Sequence, residues 1–120
     1  MAQTLKIPVS RKDIPDFSIG RRGERFARKV EFDFSALVEE FGEGEFTLLY
    51  VRPGEPDNQP FADITVFVTI DGTIATWTVS DRDTEKSGIG EAQIVYTTAH
   101  SRWKSNVWSV AVSRDISERW

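Results

Sequence analysis

The residues best suited to chemistry in this chain lie between Ser80 and Thr98, in SDRDTEKSGIGEAQIVYTT. Asp81, Asp83 and Glu85 alternate there, and Gly88 and Gly90 follow before an apolar/polar alternation. Two ligand chemistries use such parts. A calcium loop of the EF-hand type needs oxygen ligands at its first, third and fifth positions, Gly at the sixth for the sharp turn and a bidentate Glu at the twelfth. Counted from Asp81, Lys86 stands sixth and Ala92 twelfth, so the pattern fails where it is most specific. A looser cation site is the residual alternative. A phosphate-cradling loop needs Gly-x-x-x-x-Gly-Lys-Ser/Thr ahead of a helix whose first amides face the anion. Gly88-Ile89-Gly90 instead precedes a β alternation. The structural reading asks less: Asp83 and Thr84 bond nearby backbone amides and fix a turn, and Gly88 and Gly90 permit a tight or bulged lead-in to a strand over 91–98. The expectation is a corner that builds the fold.

Other catalytic constellations fare worse. Glu39, Glu40, Glu43 and Glu45 offer a carboxylate pair for glycoside hydrolysis, which needs one of the two buried and protonated. They sit in a polar, turn-rich segment with nothing apolar to raise a pKa. No Gly-x-Ser-x-Gly occurs, His100 is the only histidine, and Asp63 or Asp115 would orient it only by accident. Cysteine is absent, which removes thiolate nucleophiles, Cys-ligated metals and disulfides. The expectation is a non-enzyme with no cofactor and no metal. Of the four tryptophans, Trp77 and Trp108 alternate with small apolar residues and belong to a core, Trp103 lies near the turn AHSRWKSN, and Trp120 ends the chain. Exposed coplanar aromatics stack on sugar rings, so Trp103 with Phe61 or Tyr50 makes a glycan-binding module the rival reading.

The net charge of -4 is unevenly placed. Residues 1–30 carry eight Lys and Arg against three acids, whereas residues 31–60 carry Arg52 against eight acids. An acidic total argues against general nucleic-acid binding, which needs a positive face to release counterions from phosphates. The asymmetry suits a basic arm, residues 8–25 with Arg21, Arg22 and Arg25, meeting an acidic surface of its own chain or of a neighbour. No run approaches the roughly 20 apolar residues of a membrane helix, and MAQTLKIPVS lacks the regions of a signal peptide. Synthesis in a cytoplasm and no membrane partner are expected.

The positioning elements read as strands. With 120 residues, 39% hydrophobic and 28% charged, the chain suits one globular domain over 1–120. Period-2 alternation recurs: Phe26, Val30, Phe32 and Phe34; Phe46, Leu48 and Tyr50, with Leu49 and Val51 making the other face apolar as in a central strand; Ile64 to Ile70; Ala75, Trp77 and Val79; Ala92, Ile94 and Tyr96; Trp108, Val110 and Val112. Asp71-Gly72 reads as a hairpin turn because both residues tolerate positive φ. Ser35 reads as the N-cap of a short helix carrying Leu37, Val38 and Phe41, stopped by Gly42 or Gly44. VRPGEPDNQPFAD reads as a loop at a sheet end. The predicted fold is all-β: an antiparallel immunoglobulin-like two-sheet sandwich of about seven strands with one helical turn, a small barrel being the alternative. Phe32, Trp77, Ile94, Trp108 and Val110 are its expected core.

The order of these pieces carries a resemblance. IGRRGERFARKVEFDFSALVEEFGEGEFTLLYVRPGE is similar to the opening of small prophage-encoded proteins of Gram-positive bacteria, in which a Gly-Arg-Arg-Gly-Glu run, a Phe-Asp strand, an aromatic-Gly-x-Gly turn and an Arg-Pro-Gly-acid loop follow in order. DGTIATWTVSDRDTEKSGIGEAQIVYTTAHSRWKSNVWSVAVSRDI resembles their second half, and also the N-terminal immunoglobulin-like domain of phage upper baseplate proteins. Together the two segments run from Ile19 to Ile116. Arg52, Pro53 and Gly54 match the loop; Asp83, Thr84, Gly88 and Gly90 match the corner; Lys104, Ser105 and Trp108 match the last hairpin. These are fold positions, and the resemblance brings no catalytic residue. Leu37 stands where the pattern has Trp, and the tip TTAHSRW lacks the usual Gly. The resemblance implies a structural protein of a phage tail or baseplate, located in the virion when assembled. Its partners would be other virion proteins or further copies of itself, gripped through sheet edges, loops, Arg22, Trp103 and Lys104.

Overall fold

A computed structural model describes residues 3–25, 27–56 and 59–114. The expected positions Phe26, Asp115 and Trp120 lie outside them. Two sheets pack face to face. One has four strands in the order β1 (Gln3–Pro8), β3 (Arg28–Asp33), β7 (Ile74–Thr78), β6 (Thr69–Asp71). The other runs β2 (Phe17–Arg21), β10 (Trp108–Ser113), β8 (Gly88–Thr97), β4 (Glu45–Val51), β5 (Thr65–Val66), with β9 (Arg102–Lys104) extending the line of β10 along β8. The orders β1-β3-β7-β6 and β10-β8-β4 are those of the ABED and GFC sheets of an immunoglobulin-like sandwich.

Alternation makes the core. β4 buries Phe46, Leu48 and Tyr50, β7 buries Ala75 and Trp77, β8 buries Ala92, Ile94 and Tyr96, and β10 buries Trp108, Val110 and Val112. Phe32 from β3 meets Phe46 and Trp108 at centroid distances of 5.9 and 6.1 Å, and Tyr50 meets Trp77 at 5.2 Å. Tilted ring pairs of this kind add about 0.5–1.5 kcal/mol each beyond their buried area. The five expected core residues are all buried.

The N-terminal third departs from expectation. Residues 8–25 do not project as an arm. β1 pairs in parallel with β3, β2 pairs in parallel with β10, and the chain crosses between the two sheets along one flank. Ile7, Val9, Ile14 and Ile19 are buried on the way, each contributing about 1.5–3 kcal/mol relative to exposure. Asn106 clamps the crossing: its Oδ1 accepts from Ile14 N–H (2.8 Å) and its Nδ2 donates to Ile14 O (3.0 Å). These two pairings make the sandwich mixed rather than purely antiparallel. Together with β9 and the division of the 64–70 run into β5 and β6, they bring the described strands to ten.

Three smaller differences have local causes. The run Ile64–Ile70 is not one strand. It forms a short helix, α2 (Phe61–Ile64), counted after α1 (Ser35–Phe41), then β5 in one sheet and β6 in the other. The chain changes sheets at Phe67-Val68, and Phe67, in phase with the exposed Thr65 and Thr69, is 83% exposed. The hairpin loop is Gly72-Thr73 between the paired Asp71 and Ile74, one residue beyond the expected Asp71-Gly72. Ser35 is the first helical residue and Phe34 the cap; Asp33 Oδ1 accepts the Ser35 N–H (3.0 Å). Phe34 is buried and stacks on Phe46 at 5.1 Å, which fixes the helix start by packing instead of by a hydroxyl. α1 ends at Gly42, whose N–H donates to Val38 O.

Candidate interaction surface

The corner Ser80–Lys86 turns its acids apart. Asp81 and Glu85 are exposed, and Asp83 is buried. Asp83 Oδ1 accepts from Arg52 Nε and Nη2 at 3.2 and 3.0 Å. Its Oδ2 accepts from Trp77 Nε1 (3.1 Å), Ser80 N–H (3.0 Å) and Ser80 Oγ (3.0 Å). Its backbone carbonyl accepts from Tyr50 Oη at 3.2 Å. Thr84 Oγ1 donates to Glu24 O at 2.8 Å. Arg52 reaches this site because Pro53-Gly54 makes a tight turn directly after β4. Glu55 N–H donates to Arg52 O (3.1 Å), and Gly54 at φ +81 takes the third position, as a type II turn requires. Gly90 lets the neighbouring strand pass: a Cβ there would stand 2.6 Å from Val51 O and 2.7 Å from Tyr50 Cε1.

This arrangement is a latch. The carboxylate has five donors on two oxygens, which fills its roughly four lone-pair sites. The third guanidinium nitrogen, Nη1, points to Asp63 O at 3.4 Å. The depression beside it, about 420 Å³ and lined by Arg52, Phe67, Trp77 and several threonines, therefore presents a spent ion pair. Tyr50 is pushed well above the ordinary phenol range by burial first and by the Asp83 charge second, with Arg52 opposing. Tyr96 is also raised, by burial and then the Glu43 charge; its hydroxyl donates to Gly42 O at 2.6 Å.

The other candidates do not converge. Glu39, Glu40, Glu43 and Glu45 are exposed, as are His100 and Asp63. Among the described residues no group of three or more His, Asp or Glu is placed to hold a metal ion, and no helix is long and apolar enough to cross a membrane. The aromatic trio does not form a platform. Tyr50 is fully buried, Trp103 is half-buried against the core, and only Phe61 stands out, at 60% exposure. Arg21 and Arg22 lie at the end of β2 beside the corner, and Arg22 Nε donates to Glu85 O (2.9 Å). Arg25 is exposed in the following turn. Lys104 is on β9, which pairs with the opposite end of β8. One contact between the basic and acidic segments is internal: Arg11 Nε to Glu40 Oε1 at 3.1 Å. Both partners are well exposed, so it contributes at most about 1 kcal/mol.

The two outer sheet faces differ in kind. That of the four-stranded sheet carries Lys29, Glu31, Thr76, Thr78 and Thr69 in register, a solvated face. That of the larger sheet places Leu49 and Val51 from β4, Val95 and Ile89 from β8 and Ala111 from β10 outward, with Thr47, Gln93, Glu91 and Ser109 between them. Phe61 and Ile64 of α2 stand along one side, and Val107 along the other. Two adjoining depressions, about 330 and 410 Å³, share Leu49 and Gln93. Charges rim the second: Glu45 on one side, Arg102 and Lys104 on the other. Val95 is 8% exposed yet lies outside the inter-sheet core. An apolar centre with a charged rim is the anatomy of a protein contact surface. Leu49 and Val51 were the sequence signal for it: both faces of β4 are apolar, which reads as a central strand until β5 proves only two residues long.

No protein-family model matches the chain, and no curated protein matches it in sequence.

Proposed function

We propose that this protein is a non-catalytic assembly module that works through protein–protein contacts, and that the contact surface is the outer face of the β2-β10-β8-β4-β5 sheet. The carrying observation is the apolar patch of Leu49, Val51, Phe61, Ile64 and Val107 on this face, interrupted by Gln93 and Glu91 and flanked by Glu45, Arg102 and Lys104, where the other outer face is charged and threonine-rich apart from Phe67. An antiparallel sheet covered on one side only alternates apolar-in and polar-out, so a second apolar face calls for a second cover. The resemblance to prophage-encoded proteins and upper baseplate domains supplies the setting, a phage tail or baseplate. The internal pairing of Arg52 with Asp83, the one buried acid of the corner, supports the non-catalytic reading.

The test is incorporation. Particles are purified from a host producing them, with wild-type chain or with Leu49→Lys/Phe61→Lys, whose changed residues are outward-facing. The wild type is expected to co-purify in fixed stoichiometry and the variant to be absent while remaining folded by thermal melt. Equal incorporation of both, or absence of both, refutes the assignment.

A further inference from the structure

We infer that the first occupant of this face is a second copy of the same chain, paired about a two-fold axis that runs along β8. This rests on the contact-surface reading above and names its partner. The inference comes from where the charges sit relative to the central strand. Glu45, Thr97 and Arg102 are aligned in one row across β4, β8 and β9, and Thr47, Val95 and Lys104 in the next. The cations thus occupy the column on one side of β8, and the carboxylate the column on the other. All of them line the same depression.

Two like faces meeting about an in-plane two-fold have two simple choices of axis. An axis along β8 exchanges the columns. Arg102 of one copy then lies over Glu45 of the other, twice by symmetry, and the outward residues of β8 lie over their own counterparts. Gln93 meets Gln93 above the nearly covered Val95, Leu49 and Phe61 close over the sides, and Glu91 meets Glu91 at the far end of the face, one like-charge contact against the two Arg102–Glu45 pairs. An axis across the strands through the same depression instead stacks Arg102 and Lys104 on the same residues of the partner, which like-charge repulsion disfavours. Only the first arrangement gains opposite-charge pairs, two Arg102–Glu45 contacts against the single Glu91 pair.

Size sets the strength. Four strand columns at about 4.8 Å and seven residues at about 3.4 Å give a projected face of roughly 450 Å². A standard stable complex takes about 800 Å² of accessible surface from each partner. The pair is therefore weak, no tighter than micromolar, and dependent on concentration and salt.

Sedimentation equilibrium from low micromolar to millimolar chain is the measurement, on the full chain, with thermal melts to show that each variant folds. Wild type is expected to follow a monomer–dimer equilibrium. Glu45→Arg should weaken it at least tenfold, and the swap Glu45→Arg/Arg102→Glu should restore it to within a few-fold. The chain has no cysteine, so Thr97→Cys supplies a second readout. On the axis it should cross-link to itself with a short bismaleimide, whereas Arg102→Cys alone should not. A monomer at millimolar concentration, a dimer indifferent to Glu45→Arg, or a swap that fails to restore would each overturn the pairing. These results are separable from the incorporation test: a monomeric chain whose Leu49→Lys/Phe61→Lys variant still drops out of particles refutes the two-fold pair and leaves the assembly role standing.

Discussion

Asp83→Asn exchanges one carboxylate oxygen for an amide nitrogen and keeps the shape of the corner, so its effect isolates the electrostatics of the latch. Every acceptor position of Asp83 is taken. Oδ1 holds two guanidinium nitrogens of Arg52, and Oδ2 holds the Trp77 indole, the Ser80 amide and the Ser80 hydroxyl. The new NH₂ must face one of these two donor sets. Either way the Arg52 guanidinium, only 12% exposed, loses its counter-charge, and an NH₂ facing it also opposes donors to donors. Facing Trp77 and Ser80, it opposes donors to donors in the interior. Removing one member of a buried pair costs about 3–5 kcal/mol, and each buried donor left unpaired about 1–3 kcal/mol. A loss of about 4 kcal/mol is expected, a large share of the ~5–15 kcal/mol typical of a domain. With a urea m-value of about 2 kcal/mol per molar, the unfolding midpoint should fall by roughly 2 M. Tryptophan fluorescence reports it directly, because Trp77 is itself a partner. Arg52→Met should be similarly damaging, and the double variant should lose at least about 1 kcal/mol less than the sum of the singles. A midpoint within about 0.5 M of wild type at unchanged m would falsify the latch as a source of stability.

Gly90→Ala should destabilise by about 1–3 kcal/mol in the same assay, since the added methyl meets backbone and a buried ring rather than a movable side-chain end. Both tyrosines have raised pKa values in the folded state. Their contribution is therefore complete below the unfolded value of 10.0 and is lost as pH rises above it; the tyrosinate absorbance band should appear only together with unfolding, and a separate earlier titration would contradict the burial. Glu24 is held below its ordinary value, chiefly by its hydrogen bond from Arg28. Its contribution is present above the unfolded carboxylate pKa and is lost as pH falls through the folded one. Wild type should exceed Glu24→Gln by no more than about 1 kcal/mol at neutral pH and match it in strong acid. Asn106→Ala should detach the crossing segment near Ile14, read as faster amide exchange in residues 9–16 with the β4–β8 pairing still protected.

Much of the sandwich was legible because a buried strand writes its face into alternate residues. Ala75, Trp77 and Val79 are one example; Trp108, Val110 and Val112 are another. The corner was legible in kind: Asp83 does bond the Ser80 amide. Its partner was not, because Arg52 lies 31 residues away and only the pairing of β4 with β8 brings them together. Alternation also says nothing of which sheet a strand joins. The apolar run through Ile64–Ile70 therefore read as one strand although it serves two sheets. The charges of residues 8–25 suggested a projecting arm, yet Val9, Ile14 and Ile19 are spaced for a wandering edge segment, a pattern with no fixed period. The proposed contact surface had its sequence signal only in Leu49 and Val51, whose outward direction depends on that same pairing.

The parallel joining of β2 to β10 has a temporal side. Asp16 accepts from the Ser109 amide across 93 residues of chain, and Val110 lies beside Phe17. At about 5–20 residues per second of synthesis, strand 17–21 waits roughly five to twenty seconds for the neighbour that covers it. During that interval Phe17 and Ile19 stand uncovered on a nascent polypeptide, and closing so long a loop is itself slow. The last of the described strands to be synthesised is thus the one that ends the exposure, and newly made chains are most open to chaperones, proteases and each other just before it arrives.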